Sequence, residues 1–177
     1  QLKFKEKWTQ DEIFVTKENR QKVTFSVIMR CDEDERLYEQ NEDSRKLSKM
    51  LENKMLDYNH DPKFTQSRMN LIFFEDAIDH ICRIARVLNQ PRGNAMLIGV
   101  SGCGKQSLTK LASFLHGADC SQVKLSKAQK PQDAFREDLK GMLLNTGCER
   151  KPNVFLMADT QITHEEFLED INCILNT

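Results

Sequence analysis

The sequence lacks an excess of charge of either sign. It contains 26 basic and 27 acidic residues among 177, which gives a net charge of −1. Nucleic acid and anionic membrane surfaces are normally bound through a clear excess of lysine and arginine. We therefore expect neither nucleic acid nor a membrane as the main partner.

Long hydrophobic runs are also missing. No stretch approaches the roughly 20 apolar residues that a membrane-spanning helix requires, and no apolar segment of the secretory-signal type follows residues 1–5. The sequence begins with Gln1 rather than Met, which suggests a piece of a longer chain. Internal repeats and low-complexity segments are absent, and the length predicts about one domain.

The cysteines show none of the spacings that bind zinc or form a redox pair, because there is no Cys-x-x-Cys and no Cys/His cluster. The six are scattered along the chain: Cys31, Cys82, Cys103, Cys120, Cys148 and Cys173. Several lie in apolar runs, where a free thiol behaves as a small hydrophobic group. We expect reduced thiols in an intracellular protein.

Glycine is scarce, yet three of the seven glycines lie within residues 99–104. From Gly99 to Lys105 the sequence reads Gly-Val-Ser-Gly-Cys-Gly-Lys, the Gly-x₄-Gly-Lys spacing of a phosphate-binding P-loop. An apolar run at 95–98 precedes the motif, and a helical pattern at 108–115 follows it. This predicted strand, loop and helix is the context in which the motif binds phosphate.

The chemistry of the loop favours a nucleotide. Glycines let successive backbone N–H groups converge on phosphate oxygens, and the start of a helix adds partial positive charge. Lys105 can reach the β- and γ-phosphates. The loop residues predicted to bind nucleotide are Gly99, Ser101, Gly102, Cys103, Gly104, Lys105, Gln106 and Ser107. A glycine-rich turn without a ligand is the alternative, and the thiol of Cys103 can be passive or reactive.

The residue after the lysine departs from the motif. A Ser or Thr hydroxyl normally ligates Mg²⁺ at this position, and this chain has Gln106. The Gln106 amide oxygen can take that role directly or through a water, on a longer side chain. Ser107 lies about 100° further around the helix and cannot replace it. We expect weakened metal coordination, not lost binding.

A second acidic position closes the predicted strand at 154–159. Asp159 can hold the water shell of Mg²⁺ as a Walker B aspartate does, although a simple strand-end cap is the alternative. Hydrolysing relatives with an Asp-Glu pair use the glutamate to activate water, and here that position is Thr160. A hydroxyl cannot act as a general base at neutral pH. The sequence therefore predicts a site that holds nucleotide and hydrolyses it slowly or not at all.

Strand-like and helix-like patterns alternate in the second half of the chain. Helices are predicted at about 44–58, 71–88, 108–115, 131–147 and 163–175. Strands are predicted at 23–29, 95–98, 123–125 and 154–159. Residues 163–166 read as a capping box before the last helix. The alternation predicts an α/β fold with a parallel sheet.

These residues together resemble an AAA+ module of dynein heavy chains, and they are most similar to the fourth module of axonemal dyneins. The resemblance is carried by residues 71–77, 91–100, 104–108, 154–162 and 167–172. It is specific over 69–177 and weaker over 23–58, and residues 1–22 do not align. In that family Gln after the P-loop lysine and Thr after the Walker B aspartate are familiar features.

The resemblance implies a P-loop NTPase (AAA+) fold with three layers, αβα. The middle layer is a parallel sheet of order 5-1-4-3-2, and helices cover both of its faces. It divides the chain into an N-terminal extension with one strand (1–43), a helical approach (44–94) and a partial AAA+ core (95–177). The chain would then be truncated before the fourth strand and the helical lid. Either a gap exposes two strand edges, or the P-loop strand and the Asp159 strand pair directly. We expect marginal stability and weak nucleotide binding.

The function implied by the resemblance is a regulatory module that binds ATP or ADP with Mg²⁺, held by Asp159 and Gln106, within a microtubule-based ciliary motor. Implied partners are neighbouring AAA+ modules of the same heavy chain, the microtubule through the full motor, and dynein intermediate and light chains. The implied location is the cytoplasm, cytoskeleton and axoneme. Two alternatives remain open, namely a freestanding P-loop NTPase or kinase and a nucleotide-free structural ring spacer.

Overall fold

The computed structural model describes residues 24–30, 38–41, 43–123 and 130–176. Within these ranges the chain forms five α-helices and four short β-strands. The helices are α1 (Ser44–His60), α2 (Glu75–Leu88), α3 (Lys105–His116), α4 (Pro131–Glu149) and α5 (Glu166–Leu175). The strands are β1 (Thr24–Ser26), β2 (Glu39–Asn41), β3 (Asp119–Gln122) and β4 (Asn153–Leu156).

Helix α1 follows directly from its sequence pattern. The Asp43 side chain caps it by accepting hydrogen bonds from the backbone N–H groups of Arg45 and Lys46, at 2.9 and 3.3 Å. Its buried residues recur at helical spacing and form one face: Leu47, Leu51, Met55 and Tyr58. The predicted helix that starts at Ser44 is confirmed.

Helix α2 begins at Glu75, so the predicted start at about Leu71 is wrong by four residues. The preceding segment is extended because its backbone and side chains are engaged by α1. The Ser48 hydroxyl donates to the Phe73 carbonyl at 3.4 Å, and the Phe73 side chain is buried. At the other end, a Cβ on Gly93 would lie 1.8 Å from the Val87 carbonyl oxygen, so only glycine fits this turn.

The first core, which we define as the apolar cluster between α1, α2 and α3, is the main packing unit. Leu51, Ile81 and Leu111 are fully buried in it, one from each helix. Tyr58 stacks on Phe64 with ring centroids 4.3 Å apart, and the Phe114 ring meets Tyr58 edge-on at 5.4 Å. The antiparallel pair β1–β2 contributes buried Val27 and Ile28 from just after β1. The helix that follows the P-loop is therefore anchored along most of its length.

The second core lies around a parallel pair of strands. In that pair β3 runs beside β4 in the register Asp119↔Asn153 to Gln122↔Leu156. Fully buried Phe135 of α4 and Phe167 of α5 stack with centroids 4.4 Å apart. Between the same helices, Arg136 Nε donates to the Asp170 carboxylate at 2.9 Å. This pair of strands is part of the predicted sheet, while the full three-layer arrangement stays a prediction.

The predicted strand at 95–98 is wrong. Residues 93–100 form no strand, and among the described residues no other strand pairs with them. Met96 and Ile98 are 85% and 89% exposed. A strand needs a hydrogen-bonded neighbour, and the described part of the chain places none beside this segment. Of the two alternatives for the edges, direct pairing with the Asp159 strand does not occur.

Three boundaries also differ from the sequence prediction. Gly117 adopts the left-handed conformation (φ 72°) and ends α3, so the chain enters β3 at Asp119, earlier than the predicted 123–125. Lys124 and Leu125 lie outside the described residues. The predicted 154–159 strand pairs over Asn153–Leu156, because Asp159 is already in a 3-10 turn. The predicted capping box does not form, since α5 starts after Glu165 without a side-chain cap.

The N-terminal part of the described chain contains the two strands β1 and β2. The predicted strand at 23–29 forms in part as β1, and the short polar strand β2 was not predicted because Glu-Gln-Asn has low strand propensity. In the described part of the chain, no helix combines the length and the apolar character needed to cross a lipid bilayer.

Candidate phosphate-binding site

The loop between residue 99 and α3 has the backbone geometry of an anion cradle. Gly102 and Gly104 adopt positive φ angles of 81° and 79°, a region in which residues with a Cβ are strained. No atom lies within 4 Å of a Cβ placed on Gly102, so the backbone there faces open space. Their conformation therefore accounts for glycine at these two positions, while their contact with phosphate stays a prediction.

The start of α3 offers unpaired N–H donors. Gly104 is the N-cap residue and supplies no side-chain cap. The first intrahelical bond runs from the Leu108 N–H to the Gly104 carbonyl at 2.8 Å. The preceding N–H groups have no partner within the helix and are oriented along its positive end. This arrangement suits phosphate oxygens.

Lys105 folds back over the loop. Its ammonium donates to the carbonyl oxygens of Gly99 at 2.7 Å and Val100 at 2.6 Å, and it lies 3.4 Å from the Cys103 sulfur. These contacts bring Gly99, Cys103 and Lys105 together, while the reach of Lys105 to the β- and γ-phosphates stays a prediction. Val100 was not predicted as part of the site, since its contribution is a backbone carbonyl that no side-chain pattern reveals.

The remaining loop residues are placed around this centre. Ser101, Cys103 and Gln106 are exposed, whereas Ser107 is partly buried in the first turn of α3. Below them Leu108 and Leu111 are buried in the first core. The loop is therefore an exposed rim on a well-anchored helix, and the Gln106 side chain is free to reach solvent or a metal.

Asp159 lies at the carboxyl end of β4, three residues beyond its last paired residue. Its side chain is exposed, and one carboxylate oxygen accepts a hydrogen bond from the Thr160 N–H at 2.9 Å. Within the described residues, no hydrogen bond or ion pair joins Asp159 to the loop at 99–107. Thr160 is exposed in the same 3-10 turn. The predicted pairing of Asp159 with the P-loop around a metal stays a prediction.

Gln161 connects this turn to the neighbouring strand, and the sequence prediction missed it. Its amide nitrogen donates to the Val123 carbonyl at 2.7 Å, and its amide oxygen accepts from the Ala158 N–H at 2.8 Å. The sequence shows a polar, uncharged residue two positions after Asp159, but nothing in it indicates that this side chain bonds to Val123.

The thiols near the site differ in surroundings. Burial raises the pKa of the Cys120 thiol in β3, against the opposing effect of the Lys110 charge. Cys103 is exposed in the loop. None of the five described cysteines is in a disulfide. In the described ranges, no group of three or more His, Cys, Asp or Glu side chains is placed to hold a metal ion.

The residues fit a polyphosphate better than they fit a tightly held metal. The cradle has glycines in the left-handed region, uncapped N–H groups and one lysine, which are donors matched to phosphate oxygens. On the metal side, the exposed Asp159 and Gln106 offer one carboxylate and one amide oxygen, a donor set that suits a hydrated Mg²⁺.

Comparison with known proteins gives a consistent result. A family model described as the P-loop containing dynein motor region D4 matches residues 69–177. The chain is 48% identical over 148 residues to dynein axonemal heavy chain 6 of Homo sapiens, covering 83% of this chain. It is 44% identical over 153 residues, 86% of this chain, to the dynein-1-beta heavy chain of the flagellar inner arm I1 complex of Chlamydomonas reinhardtii.

A third relative, dynein axonemal heavy chain 3 of Mus musculus, is 37% identical over 163 residues, or 92% of this chain. The chain spans only 3% to 4% of the length of these three relatives. The similarity therefore identifies one region of very large proteins.

Proposed function

The chain belongs to the family of the P-loop containing dynein motor region D4, and from this premise we propose that it binds ATP or ADP with Mg²⁺ as a regulatory module of an axonemal dynein heavy chain. The module would hold nucleotide with little or no hydrolysis of its own. The proposal combines the family with the geometry of the loop at 99–107 and of the turn at 159–161.

The observation that carries the proposal is the cradle at the start of α3. Two glycines in the left-handed region, an uncapped helix N-terminus and the Lys105 ammonium converge on one exposed rim. A neutral small molecule would leave the N–H groups at the start of α3 unmatched, whereas the phosphates of a nucleotide supply several acceptor oxygens and negative charge. The Lys105 ammonium would exchange its bonds to the Gly99 and Val100 carbonyls for bonds to these oxygens.

Asp159 and Gln106 are the residues that would hold Mg²⁺. When bound, Mg²⁺ would supply positive charge that offsets the charge of the phosphates. Asp159 contributes a carboxylate whose second oxygen is not used by the Thr160 N–H. Gln106 contributes an amide oxygen, which is a weaker ligand than a carboxylate and, in this proposal, binds through water.

Weak hydrolysis follows from the chemistry of Thr160. Activation of the attacking water needs a group that accepts a proton at neutral pH, which a carboxylate does and a hydroxyl does not. The nucleotide would then act as a bound effector, whose presence changes the position of the loop and the turn rather than supplying energy through its own cleavage.

The wider context comes from the relatives. Their names describe axonemal and flagellar dynein heavy chains. We extend this to the present chain as part of a microtubule motor in the cytoskeleton of a cilium or flagellum. Neighbouring AAA+ modules of the same heavy chain, the microtubule, and intermediate and light chains are its proposed partners.

A titration with a fluorescent ATP or ADP analogue in Mg²⁺ tests nucleotide binding by the purified 177-residue chain. Lys105→Ala removes the ammonium and is expected to weaken binding at least tenfold, because the charge-assisted bonds to phosphate are lost. Lys140→Ala, which removes the same charge from an exposed position of α4, is the matched control and should bind like the parent chain. Equal binding by the parent chain and Lys105→Ala would replace the proposal with the nucleotide-free ring spacer.

A further inference from the structure

The clearest unexplained feature near the site is the Gln161 side chain. It spans the gap between the carboxyl ends of the two parallel strands. The ladder ends at Gln122 of β3 and Leu156 of β4, and Val123 and Ala158 lie just beyond these ends. Gln161 pairs with both, at 2.7 and 2.8 Å.

An amide is the side chain that fits these partners. The Ala158 N–H can only donate, and the Val123 carbonyl can only accept, so the bridging group needs one acceptor and one donor. These partners also fix which end of the amide is oxygen. Val123 is buried in the second core, where an unpaired carbonyl would be costly.

The turn held by this amide contains Asp159. The Gln161 N–H donates to the Ala158 carbonyl at 2.9 Å, and the Ile162 N–H donates to the Asp159 carbonyl at 3.1 Å. Backbone and side-chain bonds of Gln161 therefore both end on Ala158, the residue before the aspartate. The side chain adds a bond that leaves the turn and reaches the other strand.

We propose that Gln161 is a positioning residue, which fixes the Asp159 carboxylate for Mg²⁺ by fastening its turn to the end of β3. The inference rests on the proposed function and deepens it. Without the amide, the turn keeps its local backbone bonds but loses its attachment to β3, so Asp159 samples more positions. A metal ligand whose supporting contacts are lost typically binds its metal about tenfold or more weakly.

The test separates metal-dependent from metal-independent binding. The 177-residue chain is titrated with a fluorescent ADP analogue in Mg²⁺ and in EDTA, for the parent chain and for Gln161→Leu, which removes both bonds at similar size. We expect the Mg²⁺-dependent gain in affinity to fall about tenfold and the affinity in EDTA to change less than about twofold. Gln132→Leu, in the first turn of α4, is the control and should change neither.

A second variant and a second measurement distinguish the loss of the Gln161 hydrogen bonds from misfolding of the chain. Gln161→Glu can still accept from Ala158 but, when ionised, cannot donate to Val123, and it should lie between the parent chain and Gln161→Leu. Hydrogen exchange at the Ala158 amide, measured without nucleotide, should be slow in the parent chain and at least tenfold faster in Gln161→Leu.

The outcomes distinguish this inference from the proposed function. An equal loss of affinity in Mg²⁺ and EDTA means a purely structural role and overturns the inference, as does an unchanged Mg²⁺-dependent gain. Equally fast exchange of the Ala158 amide in both chains overturns the attachment itself. If the parent chain binds no better than Lys105→Ala, the proposed function fails, and the positioning role fails with it whatever the exchange shows.

Discussion

The loop at 99–107 joins two apolar stretches with opposite surroundings. On one side, α3 places Leu111 and Ala112 fully inside the first core. On the other, Met96 and Ile98 of the segment at 95–98 are more than four-fifths exposed. Both stretches are predicted to be buried, and only the helix is.

A helix and a strand obtain their backbone hydrogen bonds from different partners. The hydrogen bonds of α3 are internal, so the helix forms locally and then packs on α1 and α2. A strand has no internal bonds and exists only beside another strand. The apolar residues of β4 are half-buried because β3 lies beside them. Segment 95–98 is equally apolar but lacks such a neighbour among the described residues.

The largest change in the free energy of unfolding is expected when one side chain is truncated in α3 and compared with a truncation in the segment at 95–98. Leu111→Ala removes a fully buried side chain from α3 and should lower the free energy of unfolding by about 3 kcal/mol, through lost burial and a cavity. Met96→Ala should change it by less than about 0.5 kcal/mol, because the side chain is exposed. Urea unfolding followed by circular dichroism measures both. Similar losses would show that 95–98 is covered in solution.

Alkaline pH provides the next test, on Cys82 in the first core. Burial raises the pKa of the Cys82 thiol from 9.0 to about 11, against a Ser26 hydrogen bond that lowers it and with a further rise from the Asp79 charge. Between pH 9 and 11 the unfolded chain therefore loses a proton that the folded chain keeps, so stability falls as pH rises. The loss due to Cys82 is about 2 kcal/mol at pH 11.

The Cys82→Ala variant isolates this contribution, since burial also raises the pKa of Tyr58 and Cys120. Urea unfolding from pH 8 to pH 11 should give a shallower decline for the variant than for the parent chain. In the same chain at pH 8, the exposed Cys103 should react with a thiol reagent such as DTNB well before the buried Cys82. Parallel pH profiles, or equal reaction rates, would contradict the burial of Cys82.

A smaller effect is expected in the loop itself. Gly104→Ala introduces a Cβ at φ 79° and should cost about 1 to 2 kcal/mol. Gly141→Ala, in the interior of α4 with no atom within 4 Å of the new Cβ, should instead stabilise by up to about 1 kcal/mol through helix propensity. Thermal unfolding of the two variants should therefore shift in opposite directions. A stabilising Gly104→Ala would mean that the loop does not hold its left-handed conformation.

The smallest change in stability is expected for Ile98→Lys. The side chain is 89% exposed, so a charge should alter the free energy of unfolding by less than about 0.5 kcal/mol. Light scattering should meanwhile show less self-association, because exposed apolar extended segments favour aggregation. A loss above about 1.5 kcal/mol would show that Ile98 is buried and would remove the contrast between the two sides of the loop.

The sequence could predict the features that depend on local chemistry. Helix α1 has its cap at Asp43 and its buried face within one continuous stretch of sequence. Gly102 and Gly104 occupy positions with positive φ angles, which favour glycine. The predicted start of α2 is wrong because Leu71 and Phe74 fit a helical spacing, while the neighbouring Phe73 is held in extended backbone by contact with α1. Such tertiary contacts leave no mark on the local pattern.

The candidate site likewise has one part that follows from the local sequence and one part that depends on tertiary contacts. The cradle and Lys105 follow from one motif of adjacent residues. The attachment of Gln161 to Val123 joins residues 38 apart, and it depends on the register of β3 and β4, which no local pattern specifies. Likewise β3 was displaced from its predicted position because the left-handed Gly117 turns the chain into the sheet at once.

Helix α3 and strand β3 connect the two ends of the proposed site. The chain runs from Lys105 through α3, turns at Gly117 and passes along β3 to Val123, where one hydrogen bond reaches Gln161. In the proposed function, a displacement of the loop end of α3 would move the turn that contains Asp159, so the phosphate and metal ends of the site would be coupled through the fold.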